Sequence, residues 1–264
     1  MQVRHSQHER VGRAATGMPR RGRSRDHTAQ RYAAAAQPGN ASVRVWSGEA
    51  AVYGGGGLAI TQSWVGSFWY AWRLGALPAL GVELAIKQTL VGGEYEMLQH
   101  GADFAPNPDY YVAWLFKSLV GGSADALNVA TSVGTNVSVG TNVSGVRVFG
   151  FVAARGAGVP NDGGSSGTVV ALLLNLNRVN GSVVQISGGG SSTALPRTEY
   201  HLTASAADWK PEVPHTNLTC NGVPLVPDPS TRLPPTWQSL GKPAAAGSAV
   251  SLAPASIVFV TFDS

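Results

Sequence analysis

The chain has 264 residues, 44% of them hydrophobic and 13% charged, a composition that allows one large or two smaller globular domains with a sizeable core. Its formal charge of +4 is a poor guide to partners, because residues 1–32 hold eight arginines and two acidic residues, giving +6, and the rest sums to −2. Nucleic-acid binding would therefore rest on that segment alone, and the globular part does not support it.

The first forty residues are rich in Arg and Ala without a sustained apolar period, so we expect residues 1–40 to be a disordered tail. A transit peptide, a basic arm or an artefact of gene prediction are alternatives, and the apolar stretch of a classical signal peptide is missing. Five sequons would suit a secreted surface, although such matches also arise by chance; they start at Asn40, Asn136, Asn142, Asn180 and Asn217.

Residues 43–57 read VRVWSGEAAVYGGGG, an apolar strand pattern followed by one carboxylate and a glycine-rich loop. β-branched and aromatic residues such as Val45 and Trp46 predict a strand that ends at Gly48, which places Glu49 where a strand gives way to a loop. Chemistry often occurs at such loop mouths. Spacing alone nevertheless favours the plainer interpretation, in which Glu49 is a solvated or helix-capping residue.

The next segments alternate between helix and strand. Near-helical spacing of aromatic and aliphatic residues predicts a helix over residues 61–80, and residues 82–90 have the pattern of a strand. Arg73 lies inside that helix, which favours a buried core helix over a membrane span. Asn107-Pro108-Asp109 is a typical start of a second helix. The order strand, helix, strand, helix predicts a parallel sheet, and two such units leave two open edges.

Helical periodicity ends near Gly122, and short alternating runs separated by Gly- and Pro-rich turns predict an antiparallel β-sandwich. The runs are residues 146–152, 169–176, 183–186, 199–203, 249–252 and 256–262. We expect mobile loops at the Ser-Val-Gly-Thr-Asn-Val repeat of residues 132–143 and at two Gly-Gly-Ser clusters, residues 163–167 and 188–192. The predicted domains are therefore residues 41–121 and residues 122–264.

Metal-ligating residues are scattered. Cys220 is the single cysteine, so the chain has neither an intrachain disulfide nor a Cys-x-x-Cys pair. The only His-x-x-His spacing, His5 with His8, lies in the tail predicted to be disordered, and the remaining histidines are far apart. We predict no metal and no cofactor.

Four stretches, read together with a short turn near the C-terminus, resemble heparanase and the plant heparanase-like proteins of glycoside hydrolase family 79. Trp46-Ser47-Gly48-Glu49 resembles the family's Trp-x-Gly-Glu, in which the glutamate is the nucleophile at the end of the seventh strand of a (β/α)8 barrel. Residues 53–56 resemble its glycine-bearing substrate loop, and residues 87–95 resemble the eighth strand with a loop that lines the sugar subsite. Residues 107–111 resemble the start of the last barrel helix, and Cys220-Asn221-Gly222 resembles a Leu-Asn-Gly turn of the family's β-sandwich.

The resemblance implies a fold and a set of site residues. The fold is a C-terminal fragment of a (β/α)8 TIM barrel, residues 41–121, followed by an antiparallel β-sandwich. Glu49 would be the catalytic nucleophile, and the residues implied to bind substrate are Tyr53, Gly54, Gly55, Gln88, Gly93 and Tyr95. The alternative for Tyr53 and Tyr95 is a purely structural role, in which their rings cover the barrel rim. The chain departs from the family pattern at Ala50 (usually Thr), Lys87 (usually Arg) and Glu94 (usually Asn), and the interval from Glu49 to Tyr53 is one residue short.

The chemistry implied is that of a retaining endo-β-glucuronidase, which needs two carboxyl groups about 5 Å apart. In the family the acid/base glutamate follows the fourth barrel strand, and residues 1–40 contain no strand-Asn-Glu pattern, so we expect this chain alone not to turn over substrate. The other nearby carboxylates have structural explanations: Glu83 in a strand, Asp109 at a helix N-terminus and Glu96 in a solvated loop.

The implied partner is an acidic polysaccharide or a proteoglycan glycan, without nucleic acid and without an obligate protein partner. The resemblance also implies a location outside the cell or in peripheral association with a membrane. A non-catalytic carbohydrate-binding or interaction protein is the alternative, and a nucleic-acid-binding protein using residues 1–32 ranks last.

Overall fold

The computed structural model describes the chain in twelve stretches: residues 45–52, 59–101, 103–121, 124–127, 130–133, 136–139, 142–143, 145–153, 168–186, 196–204, 218–231 and 233–262. Three sets of sequence predictions lie outside these residues and are not addressed by the structure. They are the disordered tail of residues 1–40, the substrate residues Tyr53, Gly54 and Gly55, and the two Gly-Gly-Ser clusters.

The first part of the fold is the predicted alternation of strands and helices. Strand β1 (Val45–Ala50) leads through a short 3-10 helix (Ala59–Gln62) to helix α1 (Trp64–Ala79), and strand β2 (Val82–Lys87) is followed by helix α2 (Pro108–Leu119). Strands β1 and β2 pair in parallel, from Val45 opposite Val82 to Ala50 opposite Lys87. The predicted parallel pairing is therefore confirmed.

The predicted end of β1 at Gly48 is wrong by two residues. The strand continues to Ala50, and its register with β2 shifts between Ser47 and Ala50. A glycine inside a strand often marks such an irregularity rather than a strand end. Glu49 is therefore the penultimate residue of β1, at the irregular end of the strand.

Both helices begin where local chemistry favours it. The Ser63 hydroxyl caps α1 by accepting a hydrogen bond from the Gly66 N–H at 3.3 Å. Helix α2 starts with Pro108 in its first turn and carries Asp109 beside its positive N-terminal end. The predicted helix start at Asn107-Pro108-Asp109 is confirmed.

The second part is built of antiparallel strands. The strands are β3 (Ala124–Leu127), β4 (Ala130–Val133), β5 (Asn136–Val139), β6 (Asn142–Val143), β7 (Val146–Ala153), β8 (Thr168–Asn175), β9 (Ser182–Val184), β10 (Arg197–Thr203), β11 (Thr219–Cys220), β12 (Val223–Pro224), β13 (Lys242–Ala244), β14 (Val250–Leu252) and β15 (Ile257–Phe262). The large sheet has the order β12-β11-β10-β15-β8-β7-β3, with β13 paired to β10 and β6 paired to β7, while β4 pairs with β5 and β9 with β14. A second 3-10 helix spans Trp237–Leu240.

All six runs that alternation identified are strands of this region, at bounds within one or two residues of the prediction. The repeat of residues 132–143 was expected to be a mobile loop, and this is wrong for its described residues. They form parts of β4 and β5, which pair with each other, and of β6. The valines of each repeat favour strand formation, a preference that the neighbouring Gly-Thr-Asn residues obscure in the sequence.

The large sheet is apolar on both faces. One face packs on the two helices through side chains that include Phe149, Phe151, Leu172 and Phe259. Alternate residues of the same strands point to the other face, where they pack against the β9–β14 pair. The helices and the large sheet therefore share one hydrophobic core.

The contact between α1 and the sheet is close. Gly75 lies against the Phe149 ring, and a Cβ placed on Gly75 would come within 2.3 Å of Phe149 Cδ2. At the other end of α1, the Trp64 indole Nε1 donates a hydrogen bond of 3.0 Å to the Ala255 carbonyl just before β15. These two contacts fix α1, and with it the β1–β2 pair, on the sheet.

Candidate active site

Glu49 lies at the carboxyl edge of the parallel strand pair. It is solvent-exposed, and the neighbouring Ala50 carbonyl accepts a hydrogen bond of 3.1 Å from the Gln88 N–H. Because both strands run in the same direction, their carboxyl ends meet at this edge. A substrate approaching the edge would therefore reach the Glu49 carboxylate from solvent.

The backbone before Glu49 is anchored to helix α1. Ser47 is 1% exposed, and its hydroxyl accepts a hydrogen bond from the Arg73 guanidinium. The same guanidinium lies 5.0 Å from the centre of the Trp69 ring, a cation–π contact. This explains an arginine inside an otherwise apolar helix, since it ties α1 to the strand that carries Glu49.

Lys87, the last residue of β2, ties the loop after that strand to the helix that follows it. Its Nζ donates to the Tyr95 carbonyl at 2.6 Å and to the Gln88 carbonyl at 3.1 Å, and it lies 3.1 Å from Asp109 Oδ2. The Lys87 and Asp109 side chains are 6% and 4% exposed, so this is a buried ion pair. Lys87, which departs from the arginine usual in the family, still pairs with a carboxylate.

Burial dominates the electrostatics of Asp109. Removal from water raises the pKa of the Asp109 carboxyl to about 6, although the Lys87 ammonium beside it acts in the opposite direction. Burial, with a smaller contribution from the Asp109 carboxylate, raises the pKa of Tyr70 on α1 to about 12. Asp109 lies in the first turn of α2 as predicted, but its contact with Lys87 was not foreseen.

The prediction that Glu96 lies in a solvated loop is wrong. Glu96 is 2% exposed, and its carboxylate accepts hydrogen bonds from the Gly92 N–H at 2.6 Å and the His100 N–H at 3.1 Å, with the His100 ring Nδ1 at 2.8 Å. Burial acts to raise the pKa of Glu96, but the hydrogen bonds from His100 and Gly92 outweigh it and lower that pKa. Local donors replace water around this carboxylate, so it organises the loop.

The described residues implied to bind substrate all lie on this loop. Gln88 and Tyr95 are half-buried, and Gly93 is exposed with a φ of +90°, a conformation that favours glycine. The Glu94 carbonyl accepts a hydrogen bond from the Thr61 hydroxyl, which joins the loop to the start of α1. The structure therefore gathers Glu49, Gln88 and the loop with Tyr95 at one edge of the strand pair.

Sequence reasoning missed two contacts that shape this loop, Lys87 with Asp109 and Glu96 with His100. A weak signal existed for the second, because Glu96 and His100 are only four residues apart and a local turn can bring two such side chains together. The first joins residues twenty-two positions apart and has no local signature.

A cavity of about 590 Å³ lies between α1, β2 and α2, and Glu49 is not among the residues that line it. Its lining includes Tyr70, Arg73, Glu83, Phe116 and Lys117. Within the described residues there is no group of three or more side chains suited to hold a metal ion. Nor does that part of the chain include a helix with both the length and the apolar character to cross a bilayer.

Two curated plant proteins are similar in sequence to the chain. Baicalin-beta-D-glucuronidase from Scutellaria baicalensis is 31% identical over 199 residues, which cover 75% of this chain and 32% of that protein. Heparanase-like protein 2 from Arabidopsis thaliana is 28% identical over 254 residues, covering 83% of this chain and 41% of that protein. The chain thus spans about a third to two fifths of the length of these relatives. No protein-family model matches it.

A solved structure shares the fold. The GH51 α-L-arabinofuranosidase from Thermotoga petrophila superposes with a TM-score of 0.51 at 13% identity, covering 84% of this chain and 43% of that enzyme. The likeness shows a fold shared with part of a glycoside hydrolase. By its sequence matches, the chain is similar to the heparanase-like proteins of glycoside hydrolase family 79, and the similarity is to the C-terminal part of its members.

Proposed function

We propose that this chain is the nucleophile-bearing part of a retaining glycosidase that acts on β-glucuronosyl bonds, with Glu49 as the nucleophile. The observation that carries the proposal is the exposed Glu49 carboxylate at the carboxyl edge of a parallel β1–β2 pair, in a chain similar to this family. Enzymes built on (β/α)8 barrels carry their catalytic residues at that edge. The proposed substrates are glucuronic-acid-containing polysaccharides, proteoglycan glycans or smaller glucuronides.

The proposal includes an architecture. Residues 41–121 would be the last two βα units of a (β/α)8 barrel, which the parallel strands and the two helices support. Residues 122–264 would be a β-sandwich, which the antiparallel sheet and the β9–β14 pair against its second face support. In such a barrel Glu49 would end the seventh strand and Lys87 the eighth.

The reaction would be a double displacement. The Glu49 carboxylate attacks the anomeric carbon, the bond to the leaving oxygen breaks, and the glycosyl–enzyme ester is then hydrolysed with net retention. A second carboxyl group about 5 Å from the first protonates the leaving oxygen and later activates water. We propose that this group comes from a part of the barrel other than β1 and β2, and that turnover of the natural polymer requires it.

The other proposed roles are supporting ones. Tyr95 and Tyr53 would hydrogen-bond the sugar or the nucleophile, and Gln88 would contact substrate from the end of β2. The glycines Gly54, Gly55 and Gly93 would let the backbone approach the sugar closely. These assignments rest on the family resemblance, together with the place of Gln88, Gly93 and Tyr95 on one loop beside Glu49.

An activated substrate tests the nucleophile without requiring the acid. Dinitrophenolate leaves without protonation, so 2,4-dinitrophenyl β-D-glucuronide should give a burst of about one dinitrophenolate per chain as the glycosyl–enzyme accumulates. Glu49→Gln should abolish the burst. The matched control is Glu83→Gln, because Glu83 is also exposed but lies at the start of β2, at the opposite end of the strand pair from Glu49.

Mass spectrometry of the trapped species completes the test. The proposal expects a glucuronosyl group on the peptide that contains Glu49. A burst that persists in Glu49→Gln, or a label on another residue, would overturn it. Binding of a glucuronate-terminated oligosaccharide without any burst would favour the alternative of a non-catalytic carbohydrate-binding protein.

A secreted or membrane-associated location would suit such a substrate, and we include it in the proposal. The sequon at Asn180 is exposed in the structure and is the natural reporter. If the chain passes through the secretory pathway of a eukaryotic cell, Asn180 should carry a glycan that Asn180→Gln removes. An unglycosylated Asn180 in recovered protein would contradict that location.

A further inference from the structure

The Lys87 ammonium is the point where β2, its loop and α2 meet. It lies 2.6 Å from the Tyr95 carbonyl, 3.1 Å from the Gln88 carbonyl and 3.1 Å from Asp109 Oδ2. An ammonium has three N–H donors, and here each has an acceptor. Lys87 is therefore fully committed inside the protein and is not available to bind a substrate carboxylate.

The same residue is joined to the strand that carries Glu49. Lys87 is opposite Ala50 in the parallel pair, and the following Gln88 N–H donates to the Ala50 carbonyl at 3.1 Å. A short covalent and hydrogen-bonded path thus runs from Glu49 through Ala50 and Lys87 to the backbone of Tyr95.

Asp109 holds the ammonium in place. Its Oδ2 contacts Lys87, while its Oδ1 is buried and has no hydrogen-bond partner among the described residues. The charged or titratable groups that face Asp109 are Lys87 from β2 and Tyr70 from α1, and the Tyr110 backbone N–H of α2 also acts on it. Lys87 is thus the cation that compensates this carboxylate, and the two side chains should behave as one unit.

We propose that Lys87, held by Asp109, is a positioning residue that fixes Tyr95 and the loop of residues 88–101 beside Glu49. The loop has further backbone bonds, from the Met97 N–H to the Thr89 carbonyl at 2.9 Å and from the Leu98 N–H to the Leu90 carbonyl at 2.8 Å. Lys87 sets how this bonded unit sits against the strand pair. The effect of Lys87 on catalysis rests on the proposed function, whereas its effect on the position of the loop does not.

Hydrogen exchange on the full chain tests the inference directly. In Lys87→Met the amides of Met97 and Leu98 should exchange about tenfold faster or more, because the loop loses its tie to β2. Lys87→Arg, which restores the family's usual residue, should keep exchange close to that of the parent. The matched control is Lys117→Met, which removes an exposed lysine from α2 and should leave loop exchange unchanged.

The double variant Lys87→Met/Asp109→Asn separates positioning from simple stabilisation. Removing both charges relieves the uncompensated buried carboxylate, so the melting temperature should recover relative to Lys87→Met. Loop exchange should stay fast, because no ammonium bonds the Tyr95 carbonyl. If loop exchange in the double variant returns to the parent level, Lys87 only stabilises the fold and the proposal fails.

The burst with 2,4-dinitrophenyl β-D-glucuronide links the loop to chemistry. Its rate constant should fall about tenfold or more in Lys87→Met and in the double variant, with the amplitude still near one per chain, because misplacement near a reacting group slows the step. A parent chain without a burst would count against the proposed function, and the exchange result would still decide this inference. Fast exchange with an unchanged burst rate would refute the catalytic consequence alone.

Discussion

Gly75 of α1 offers a sharp test of the shared core. An alanine Cβ there would lie 2.3 Å from Phe149 Cδ2 and 2.4 Å from its Cγ, well inside contact distance. Phe149 is 4% exposed and belongs to β7 of the large sheet, so its ring has little room to move. Gly75→Ala should therefore push α1 away from the sheet.

The magnitude follows from two opposing effects. Overpacking of this severity costs about 3 kcal/mol, the upper end for a buried site. Replacing a glycine inside a helix by alanine stabilises the helix by about 1 kcal/mol, which offsets part of that cost. We expect Gly75→Ala to lower the free energy of unfolding by about 2 kcal/mol.

A double-mutant cycle with Phe149→Ala isolates the contact. Alanine lacks the Cγ and Cδ2 atoms that the new Cβ would meet, so in its presence Gly75→Ala should become stabilising by about 1 kcal/mol, a coupling of about 3 kcal/mol. Urea denaturation followed by tryptophan fluorescence measures each step. The control is Gly101→Ala, since nothing lies within 4 Å of a Cβ at Gly101. Additive effects of the two substitutions would refute the packing of α1 on the sheet.

Three further substitutions probe other contacts. Trp64→Phe removes the buried donor to the Ala255 carbonyl and should lower the free energy of unfolding by about 1–3 kcal/mol. The control Trp46→Phe, at a side chain that is 59% exposed, should leave the free energy of unfolding almost unchanged. Equal losses in the two variants would argue against the contact between Trp64 and Ala255. Asn221→Gly permits the backbone φ of +51° but loses three side-chain hydrogen bonds, so it should lower the free energy of unfolding by about 2 kcal/mol. Asn221→Ala should lower it by about 1 kcal/mol more, because a positive φ is unfavourable for alanine. A less stable glycine variant in thermal unfolding would contradict this. Because burial raises the pKa of Asp109 to about 6, folding favours the protonated carboxyl. Its contribution to the free energy of unfolding is fully present below about pH 4 and is lost as pH rises through about 6, a decrease of about 3 kcal/mol. Asp109→Asn should therefore flatten the pH dependence of unfolding between pH 4 and 7, and an unchanged slope would show that this carboxyl titrates normally.

Much of the fold follows from local patterns. The helices were predictable because Trp64 and its neighbours recur at helical spacing and because Pro108 and Asp109 favour a helix start. The strands of the all-β part were predictable because short runs rich in β-branched and other apolar residues are separated by Gly- and Pro-rich turns. These signals act over a few residues and need no tertiary information.

The contacts of the candidate site could not be obtained in the same way. Glu96 is buried because Gly92 and His100 bend back to satisfy it, and the backbone of Gly92, with a φ of +87°, makes that turn. Lys87 meets Asp109 only because the fold brings the end of β2 to the first turn of α2. A charged residue in a Gly-rich stretch is on average solvated, so the sequence favours the wrong environment for Glu96.

The placement of Glu49 is a mixed case. Strand propensity located it at the end of β1, and the family resemblance suggested its role, but Gly48 suggested a strand end where the structure has a register shift. The parallel partner β2 is what turns this position into an edge where two strand ends meet.

Chemical rescue tests the central role of Glu49 most directly. Glu49→Gly should release no dinitrophenolate from 2,4-dinitrophenyl β-D-glucuronide, and azide should restore release by attacking from the face that the carboxylate occupied. The product identified by NMR should then be the α-glucuronosyl azide, because a single displacement inverts the β-linkage. A β-azide would mean that Glu49 is the acid/base rather than the nucleophile, and release that is equally fast without azide would mean that it is neither.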